Sequence, residues 1–321
     1  MDGLWQRFRR NRFVVLGRVG MDLYADPPNT RIEEARAYVS AIGGSAGNIA
    51  VALVRQGAAA ALLTRVSEDA VGRYCVAELG RYGVDTTHCR TVAGEARNSL
   101  AVVETRPDDA QTVLYRNGAA DFALTEADVA AVDFGAAGAL VVTGTALARE
   151  PSRGATQLAM RRAREAGAVV VLDIDYRAYS WTSREEAARV NLQAAAEAHV
   201  VIGNDDEFGL LTGAHDRGAG LARDLAQHGA LFTVYKRGKA GSVTYLPQGQ
   251  FETGIFPVKA LKPMGAGDGF MGGLLAGLAG GHDLETSVRR GAATAAIIVA
   301  GIGCAPASPD SATLDAFIQN F

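Results

Sequence analysis

The stretch "GAGDGFMGGLLAGLAGG" (265–281) places glycines around one acidic residue, Asp268, at the start of an apolar helical pattern of small residues. A strand-like segment, "ETGIFPVKAL" (252–261), precedes it. Backbone N–H groups at a helix start are unpaired and carry partial positive charge, which suits a phosphate or a developing anion. Asp268 could instead only cap the helix, but a cap alone does not require Gly265 and Gly267. The stretch therefore predicts a strand-to-helix turn that binds an anion.

Short apolar runs alternate with helical patterns along the rest of the chain. Runs without polar alternation are typical of strands covered on both faces, and they occur at 13–17, 61–66, 139–144, 169–174, 199–203 and 231–236. Segments with helical patterns lie between them, among them 47–57, 152–167 and 184–198. This order predicts an α/β fold with a doubly wound, mostly parallel sheet.

Two segments, about 22–42 and about 88–120, break this rhythm and alternate polar with apolar residues. In the second, "NSLAVVET" and "QTVLYRNG" flank a turn-like "RPDDA". We expect both segments to form a small β-sheet that is inserted into the main domain as a lid. Since no repeat or low-complexity linker divides the chain, residues 1–321 are predicted to form a single domain.

Composition narrows the classes of partner. The chain has 321 residues and a net charge of -3, so it has no basic field that would attract nucleic acid or an anionic membrane. Its least charged segment, 291–307, is shorter than the roughly 20 apolar residues that a membrane span needs. Three widely spaced cysteines indicate neither a disulfide framework nor a zinc site. We therefore expect a cytoplasmic protein with a small-molecule partner.

The hexapeptide "GGSAGN" (43–48) directly precedes a helical pattern. Its first two residues, Gly43 and Gly44, would let the backbone approach a ligand, while Asn48 offers a side-chain amide. It could also be only a tight turn with a helix cap. A third interpretation is the G-x-S-x-G elbow of a serine hydrolase around Ser45. That interpretation is remote, because too few strands come first and His282 is the only late histidine.

Two further motifs follow strand patterns. "YKRGKAGS" (235–242) joins two strands and contains Lys236, Gly238 and Gly241, a spacing that admits a flat ligand against the backbone. "GNDDEF" (203–208) predicts either a helix start or a site for hydrated Mg²⁺. A Walker A loop, a protein-kinase motif set and G-x-G-x-x-G are all absent from the sequence.

In this order, "GRVGMD", "GGSAGN", "NDDE", "KRGKAG" and "GAGD" resemble the motifs of the ribokinase and phosphofructokinase-B family of carbohydrate kinases. The resemblance runs from about residue 13 to residue 310. It implies phosphoryl transfer from ATP to a sugar hydroxyl and agrees with the fold predicted above. It also implies that Asp268 is the base and that the N–H groups of Gly265, Ala266 and Gly267 hold the transferring phosphoryl group.

The resemblance further assigns ligands to the other motifs. Mg²⁺ would be held through water by Asn204 and Glu207. The expected ATP contacts are Asn204, Lys236, Gly238, Gly241, Gly267 and Gly301, and the expected sugar contacts are Asp22, Gly43, Gly44 and Asn48.

Finer features resemble the kinases of keto-deoxy sugar acids, and most of all the kinase of inositol breakdown, which implies phosphorylation of the C6 hydroxyl. Arg116 in "YRNGAAD" and Arg177 in "LDIDYRAYSW" would suit a carboxylate. Each arginine could instead pair with a neighbour such as Asp121 or Asp175. The alternatives left open are a kinase of 2-keto-3-deoxygluconate, a fructokinase-type sugar kinase and a sugar sensor without catalysis.

The chain departs from the family before the "GAGD" motif, where Asp-Thr is usual and Lys262 and Pro263 stand here. The family's aspartate often helps to hold a monovalent cation, and a lysine cannot ligate one. We therefore expect the ammonium of Lys262 to take the cation's place, so that K⁺ is not required. Exposed lid strands are natural pairing edges, which favours a homodimer through the lid.

Overall fold

The computed structural model describes residues 2–106, 109–262 and 264–321, so that Pro263 lies outside the described residues. The strands are β1 (Arg12–Leu16), β2 (Gly20–Asp26), β3 (Ala37–Gly43), β4 (Ala59–Ser67), β5 (Cys89–Val92), β6 (Ser99–Val103), β7 (Thr112–Tyr115), β8 (Ala139–Thr143), β9 (Val169–Asp173), β10 (Val200–Asn204), β11 (Phe232–Lys236), β12 (Ser242–Tyr245) and β13 (Gln250–Thr253). The helices are α1 (Asp2–Phe8), α2 (Ser45–Arg55), α3 (Ala70–Arg81), α4 (Glu126–Ala130), α5 (Ser152–Glu165), α6 (Arg184–Glu197), α7 (Asp205–Thr212), α8 (Gly218–Gln227), α9 (Ala266–Gly280), α10 (Leu284–Ala300) and α11 (Ser311–Gln319).

The larger sheet has nine strands in the order β13-β12-β11-β10-β9-β8-β1-β4-β5. All neighbours from β11 to β5 pair in parallel, and the antiparallel pairings of the larger sheet are those of β12 with β11 and with β13 at one edge. The chain builds outward from β1 through β4 and β5 and then crosses to β8, which creates a switch point beside β1. Ligands of such sheets bind outside the carboxyl ends of the strands at this point. The predicted doubly wound, mostly parallel sheet is confirmed.

Burial on both faces explains the continuous apolar runs of the central strands. In β1, Val14 and Leu16 pack into the hydrophobic layer that includes α5 and α8, whereas Phe13 and Val15 pack into the layer that includes α2 and α9. A strand covered in this way has no solvent-facing side to carry polar residues.

The small residues of α9 let it pack closely against its neighbours. A Cβ atom at Gly273 would meet Thr294 of α10, and one at Gly277 would lie 3.0 Å from the hydroxyl of Ser287, which also belongs to α10. The low-charge segment 291–307 is therefore in large part a buried helix, as predicted. Among the described residues, no helix is both long enough and apolar enough to cross a membrane.

The smaller sheet has the strand order β3-β2-β6-β7 and forms the predicted insertion. Its own core is small and consists of Tyr24, Ala41, Ala101 and Val103, with Leu114 and Met264 packed against it. Two boundaries differ from the predictions. The segment 88–120 begins too early, because β5 pairs with β4 in the larger sheet. The strand predicted at 252–261 already ends at Thr253, since the following residues form no ladder.

Candidate functional site

The first turn of α9 meets the first turn of α2 at the carboxyl end of the larger sheet. Asp268 lies in this turn and accepts a hydrogen bond of 2.8 Å from the side-chain amide of Asn48. Its side chain is partly exposed, while the amide of Asn48 is buried. The residue at the N-cap position is Gly265, so Asp268 is not the cap of α9. The cap-only alternative is therefore wrong, and the carboxylate is available to a ligand.

The N-terminus of α9 presents bare backbone donors. Gly265 adopts a left-handed conformation with φ of 81°, and a Cβ atom there would collide with Cys304. Within the described residues no side chain caps the helix, so the N–H groups of Ala266, Gly267 and Asp268 lack intrahelical partners. The ammonium of Lys236 lies beside this turn, 3.3 Å from the place where a Cβ atom of Gly267 would stand. The turn thus combines backbone donors with a positive charge.

Burial is the main cause that raises the pKa of Asp268 above its usual range. The nearby carboxylate of Asp175 raises it further, while the hydrogen bond from Asn48 and the charges of Arg177 and Arg18 lower it. A carboxylate with a raised pKa is a stronger base than an exposed aspartate.

The predicted sugar contacts meet at the base of the lid. Asp22 of β2 lies against the backbone of Gly43, so closely that a Cβ atom at Gly43 would collide with its carboxylate. Gly44 has φ of 87° and abuts the backbone of Arg18, so the turn requires glycine there. The Tyr24 hydroxyl donates a hydrogen bond of 3.2 Å to Asp22. Burial raises the pKa of Asp22 to about 6, against the lowering charge of Arg18.

The hydroxyl of Ser45 donates a hydrogen bond of 2.6 Å to Asp175, which also accepts one of 3.0 Å from Thr145. His282 follows the opposite end of α9 from Asp268. A serine hydrolase needs its histidine at the nucleophile. The serine-hydrolase alternative is therefore wrong.

Both predicted arginines have intramolecular carboxylate partners. Arg116 pairs with Asp121 and also donates to the Ser180 hydroxyl. Arg177 lies 2.9 Å from Asp175. These pairs are the alternative that the sequence left open, and they leave neither guanidinium without a partner.

Asn204 and Glu207 close a reciprocal capping box at the start of α7. The Asn204 side chain accepts from the Glu207 backbone at 2.8 Å, and the Glu207 carboxylate accepts from the Asn204 backbone at 2.8 Å. Glu207 also accepts a bond of 3.2 Å from the backbone of Tyr176. The motif is therefore a helix start, and its residues line a cleft of roughly 400 Å³ that Arg177 also lines.

Asp173, at the end of β9, is 4% exposed, and its carboxylate accepts no hydrogen bond within the described part of the chain. Burial raises its pKa well above the usual range, and the neighbouring carboxylates raise it further, against the opposing charge of Lys236. Carboxylate oxygens are ligands that a hard divalent cation prefers. Among residues 2–106, 109–262 and 264–321, no group of three or more His, Cys, Asp or Glu forms a direct metal cage.

The other predicted ATP contacts lie at one side of the sheet and in the loop after α10. Gly238 and Gly241 lie in the tight link between β11 and β12, where both have positive φ. A Cβ atom at Gly241 would strike the carbonyl oxygen of Thr253, whereas Gly238 has open space around it. Gly301 ends α10, against Ala307. The link therefore requires glycine at Gly241.

Lys262 is 2% exposed. Its ammonium donates to the carbonyl oxygen of Met264 at 2.9 Å and to that of Ile298 at 3.4 Å. It also lies 3.8 Å from the sulfur of Cys304. The positive charge is thus held by backbone oxygens directly below the "GAGD" turn.

The sequence did not single out three polar residues that the fold brings to this place: Arg18, Thr145 and Asp173. It indicated Ser45 only as a hydrolase nucleophile and Asp175 only as a partner of an arginine. The signal for the two acids was position, since Asp173 ends a buried strand at the ligand-binding edge and Asp175 follows it. Thr145 follows β8 in the same way.

Comparison with known proteins agrees with this geometry. A family profile described as pfkB family carbohydrate kinase matches residues 10–311. The 5-dehydro-2-deoxygluconokinase of Photobacterium profundum is 39% identical over 312 residues, which covers 95% of this chain and 94% of that protein. The 5-dehydro-2-deoxygluconokinase of Geobacillus kaustophilus is 35% identical over 316 residues, with 96% and 93% covered.

Solved structures give the same answer for the fold. A double mutant of Vibrio cholerae fructokinase, bound to fructose, ADP and potassium ion, superposes with a TM-score of 0.83 at 26% identity and covers 95% of this chain and 97% of its own. Xylella fastidiosa fructokinase with bound ATP superposes with a TM-score of 0.85 at 24% identity, covering 97% and 99%. The chain therefore has a ribokinase-like fold, belongs to the pfkB family of carbohydrate kinases, and is an ATP-dependent carbohydrate kinase.

Proposed function

We propose that this kinase transfers the γ-phosphoryl group of ATP to the C6 hydroxyl of 5-dehydro-2-deoxygluconate, as a step of myo-inositol catabolism in the cytoplasm. The observation that carries the reaction is the position of Asp268, beside the bare N–H groups of α9 and hydrogen-bonded to Asn48. The names of the curated relatives support the substrate. The whole chain acts as a single catalytic domain with its lid.

Asp268 accepts the proton of the sugar hydroxyl as that oxygen attacks the phosphorus. The N–H groups of Gly265, Ala266 and Gly267 face the transferring phosphoryl group and stabilise the charge that it develops. Lys236 adds a positive charge beside Gly267. Most of the acceleration then comes from positioning and electrostatics, as is general for phosphoryl transfer.

Asn204 and Glu207 would hold Mg²⁺ through water, and Asp173, whose pKa is raised by the charge of Glu207, would add a further acidic group to this site. When bound there, Mg²⁺ would neutralise part of the negative charge of the phosphates of ATP. Oxygen donors of this kind are what Mg²⁺ prefers, and it usually keeps several waters. The capping box fixes both donors before the ion arrives.

The nucleotide and the sugar approach this turn from different sides. Gly238, Gly241 and Gly301 line the adenine side. Asp22, Gly43, Gly44 and Asn48 bind the sugar hydroxyls under the lid. The lid strands expose Val39 and Tyr115, with 52% and 58% of their surfaces accessible, which supports a homodimer through the lid.

The ammonium of Lys262 replaces a monovalent cation, so that the kinase does not require K⁺. Its two carbonyl partners provide the kind of oxygen cradle that a cation would occupy. A buried ammonium with satisfied hydrogen bonds leaves no room for an ion of the same charge.

Turnover of the pure protein on a panel of sugars tests the proposal. We expect 5-dehydro-2-deoxygluconate to give the highest kcat/KM by ADP release, ahead of 2-keto-3-deoxygluconate and fructose, and ³¹P–¹³C coupling in the product to locate the phosphate on C6. A higher value with either of the other sugars would reject the substrate, and coupling to another carbon would reject the position.

A further inference from the structure

Arg18 is a buried arginine that the fold places at the candidate site. It follows β1 at the switch point and is only 9% exposed. Its carbonyl oxygen accepts a bond of 3.3 Å from the backbone of Gly47, which holds its backbone against the "GGSAGN" turn. Its guanidinium makes no hydrogen bond or ion pair with any described residue, and its Nε atom is buried without a partner.

Three carboxylates of the site are affected by the charge of this guanidinium, and none of them is bonded to it. Its charge lowers the pKa of Asp22, Asp175 and Asp268, although burial acts against it at each of them. Each acid takes its hydrogen bonds from other groups: Asp22 from Tyr24, Asp175 from Ser45 and Thr145, and Asp268 from Asn48. Arg18 therefore stands among the sugar-binding and catalytic residues with its donors unused.

The other two arginines of the site already have carboxylate partners within the protein. Arg116 is bonded to Asp121 and Arg177 to Asp175. To bind a ligand as a bidentate fork, either would have to weaken an existing pair, and for the buried Arg116 this costs more than in water. Arg18 has no such pair to break.

We propose that Arg18 binds the carboxylate of the sugar acid and thereby selects acids over neutral sugars. An unpaired buried guanidinium is unfavourable, and a carboxylate satisfies it with two parallel hydrogen bonds. A neutral hydroxyl at the same place would leave the guanidinium without a bidentate partner. The inference rests on the proposed function, because it requires that the substrate be an acid.

The test compares two Arg18 variants with the wild type. The measured quantity is the ratio of kcat/KM for 5-dehydro-2-deoxygluconate to kcat/KM for fructose. Removing the charge-assisted pair in Arg18→Gln should lower this ratio by about 100-fold. Arg18→Lys keeps the charge but loses the fork and should give an intermediate ratio.

A matched control is Arg149→Gln, which removes an exposed guanidinium from a neighbouring cleft of roughly 210 Å³ that Arg116 also lines. We expect it to leave the ratio unchanged. Titration calorimetry with the acid, in an Asp268→Asn background with and without Arg18→Gln, measures binding apart from turnover. Thermal unfolding of each variant shows that it is folded.

The outcomes separate the two proposals. A wild type that prefers fructose overturns both the substrate and the role of Arg18. A wild type that prefers the acid, with the same preference in Arg18→Gln, overturns the role of Arg18 alone. Loss of the preference for the acid in Arg149→Gln also overturns the role of Arg18, because the carboxylate then binds in the cleft that Arg149 lines. A collapsed ratio with weakened binding of the acid supports the inference.

Discussion

Asn48 donates a hydrogen bond of 2.8 Å to the carboxylate of Asp268, although 220 positions separate the two residues in the chain. Asn48 lies in the first turn of α2 and Asp268 in the first turn of α9. The bond thus joins the turn proposed to bind the sugar to the turn proposed to bind the phosphate. It also fixes the orientation of the proposed base, which is a condition for efficient base catalysis.

Asp268→Asn should abolish most turnover while keeping sugar binding. General-base catalysis contributes roughly 10²–10⁴-fold, and we expect kcat to fall by that order, measured by ADP release. Because burial raises the pKa of Asp268 in the fold, its contribution to stability is largest below the unfolded pKa and is lost as pH rises through the folded pKa. The uncharged asparagine should therefore raise the melting temperature at neutral pH.

The control for this variant is Asp283→Asn, at the N-cap of α10. Asparagine caps a helix as well as aspartate does, so activity and stability should both change little. An Asp268→Asn protein that turns over at the wild-type rate would show that another group is the base.

Asn48→Ala should move the acidic limb of the kcat/KM profile to higher pH. The hydrogen bond from Asn48 favours the carboxylate form of Asp268 and lowers its pKa. Without it the pKa rises, so the base is protonated at a higher pH than in the wild type. The measurement is kcat/KM across the acidic range, in small steps of pH. A limb that shifts downward, or does not move, would contradict the assigned coupling.

Glu207→Gln should separate the two roles of this residue. Glutamine completes a capping box, so α7 should keep its start and the melting temperature should change little. The lost negative charge weakens the hold on Mg²⁺, and we expect the Mg²⁺ concentration for half-maximal rate to rise several-fold. Glu207→Ala is the comparison, since it removes the cap as well. Equal Mg²⁺ dependence in Glu207→Gln and the wild type would argue against the metal role.

Lys262→Ala should convert a K⁺-independent enzyme into a K⁺-activated one. The substitution removes the ammonium and leaves the carbonyl oxygens of Met264 and Ile298 without their donor. Activity should drop in buffer that contains only a bulky organic cation and recover when KCl is added. NaCl at the same ionic strength controls for screening. Strong K⁺ activation of the wild type would contradict the assignment of Lys262.

The sequence predicted the fold well because each local pattern agreed with the global one. The apolar run of β1 and the small residues of α9 each require burial against particular neighbours. The boundaries of the elements were predicted less accurately where strand pairing, and not composition, determines them. Cys89–Val92 has no feature that distinguishes an edge strand of the larger sheet from a lid strand.

The site was predictable where a motif has a fixed backbone requirement, as at Gly265 and Gly44. It was not predictable where the meaning of a side chain depends on its partner. Arg177 and Arg18 look alike in the sequence. Only the fold shows that Arg177 has an ion pair with a carboxylate and that Arg18 has none among the described residues. Asp173 was missed for the same reason, because the burial of its carboxylate is a property of the packed state.

Met264 links the lid to the loop that begins α9. Its side chain packs under the lid and accepts a hydrogen bond of 2.9 Å from Thr112 of β7, while its carbonyl oxygen holds Lys262. A lid that shifts over a sugar therefore pulls on the loop that begins α9. We expect this linkage to suppress ATP hydrolysis in the absence of sugar. The rate of ADP release without sugar, divided by the turnover rate with sugar, should therefore be far lower in the wild type than in Met264→Ala.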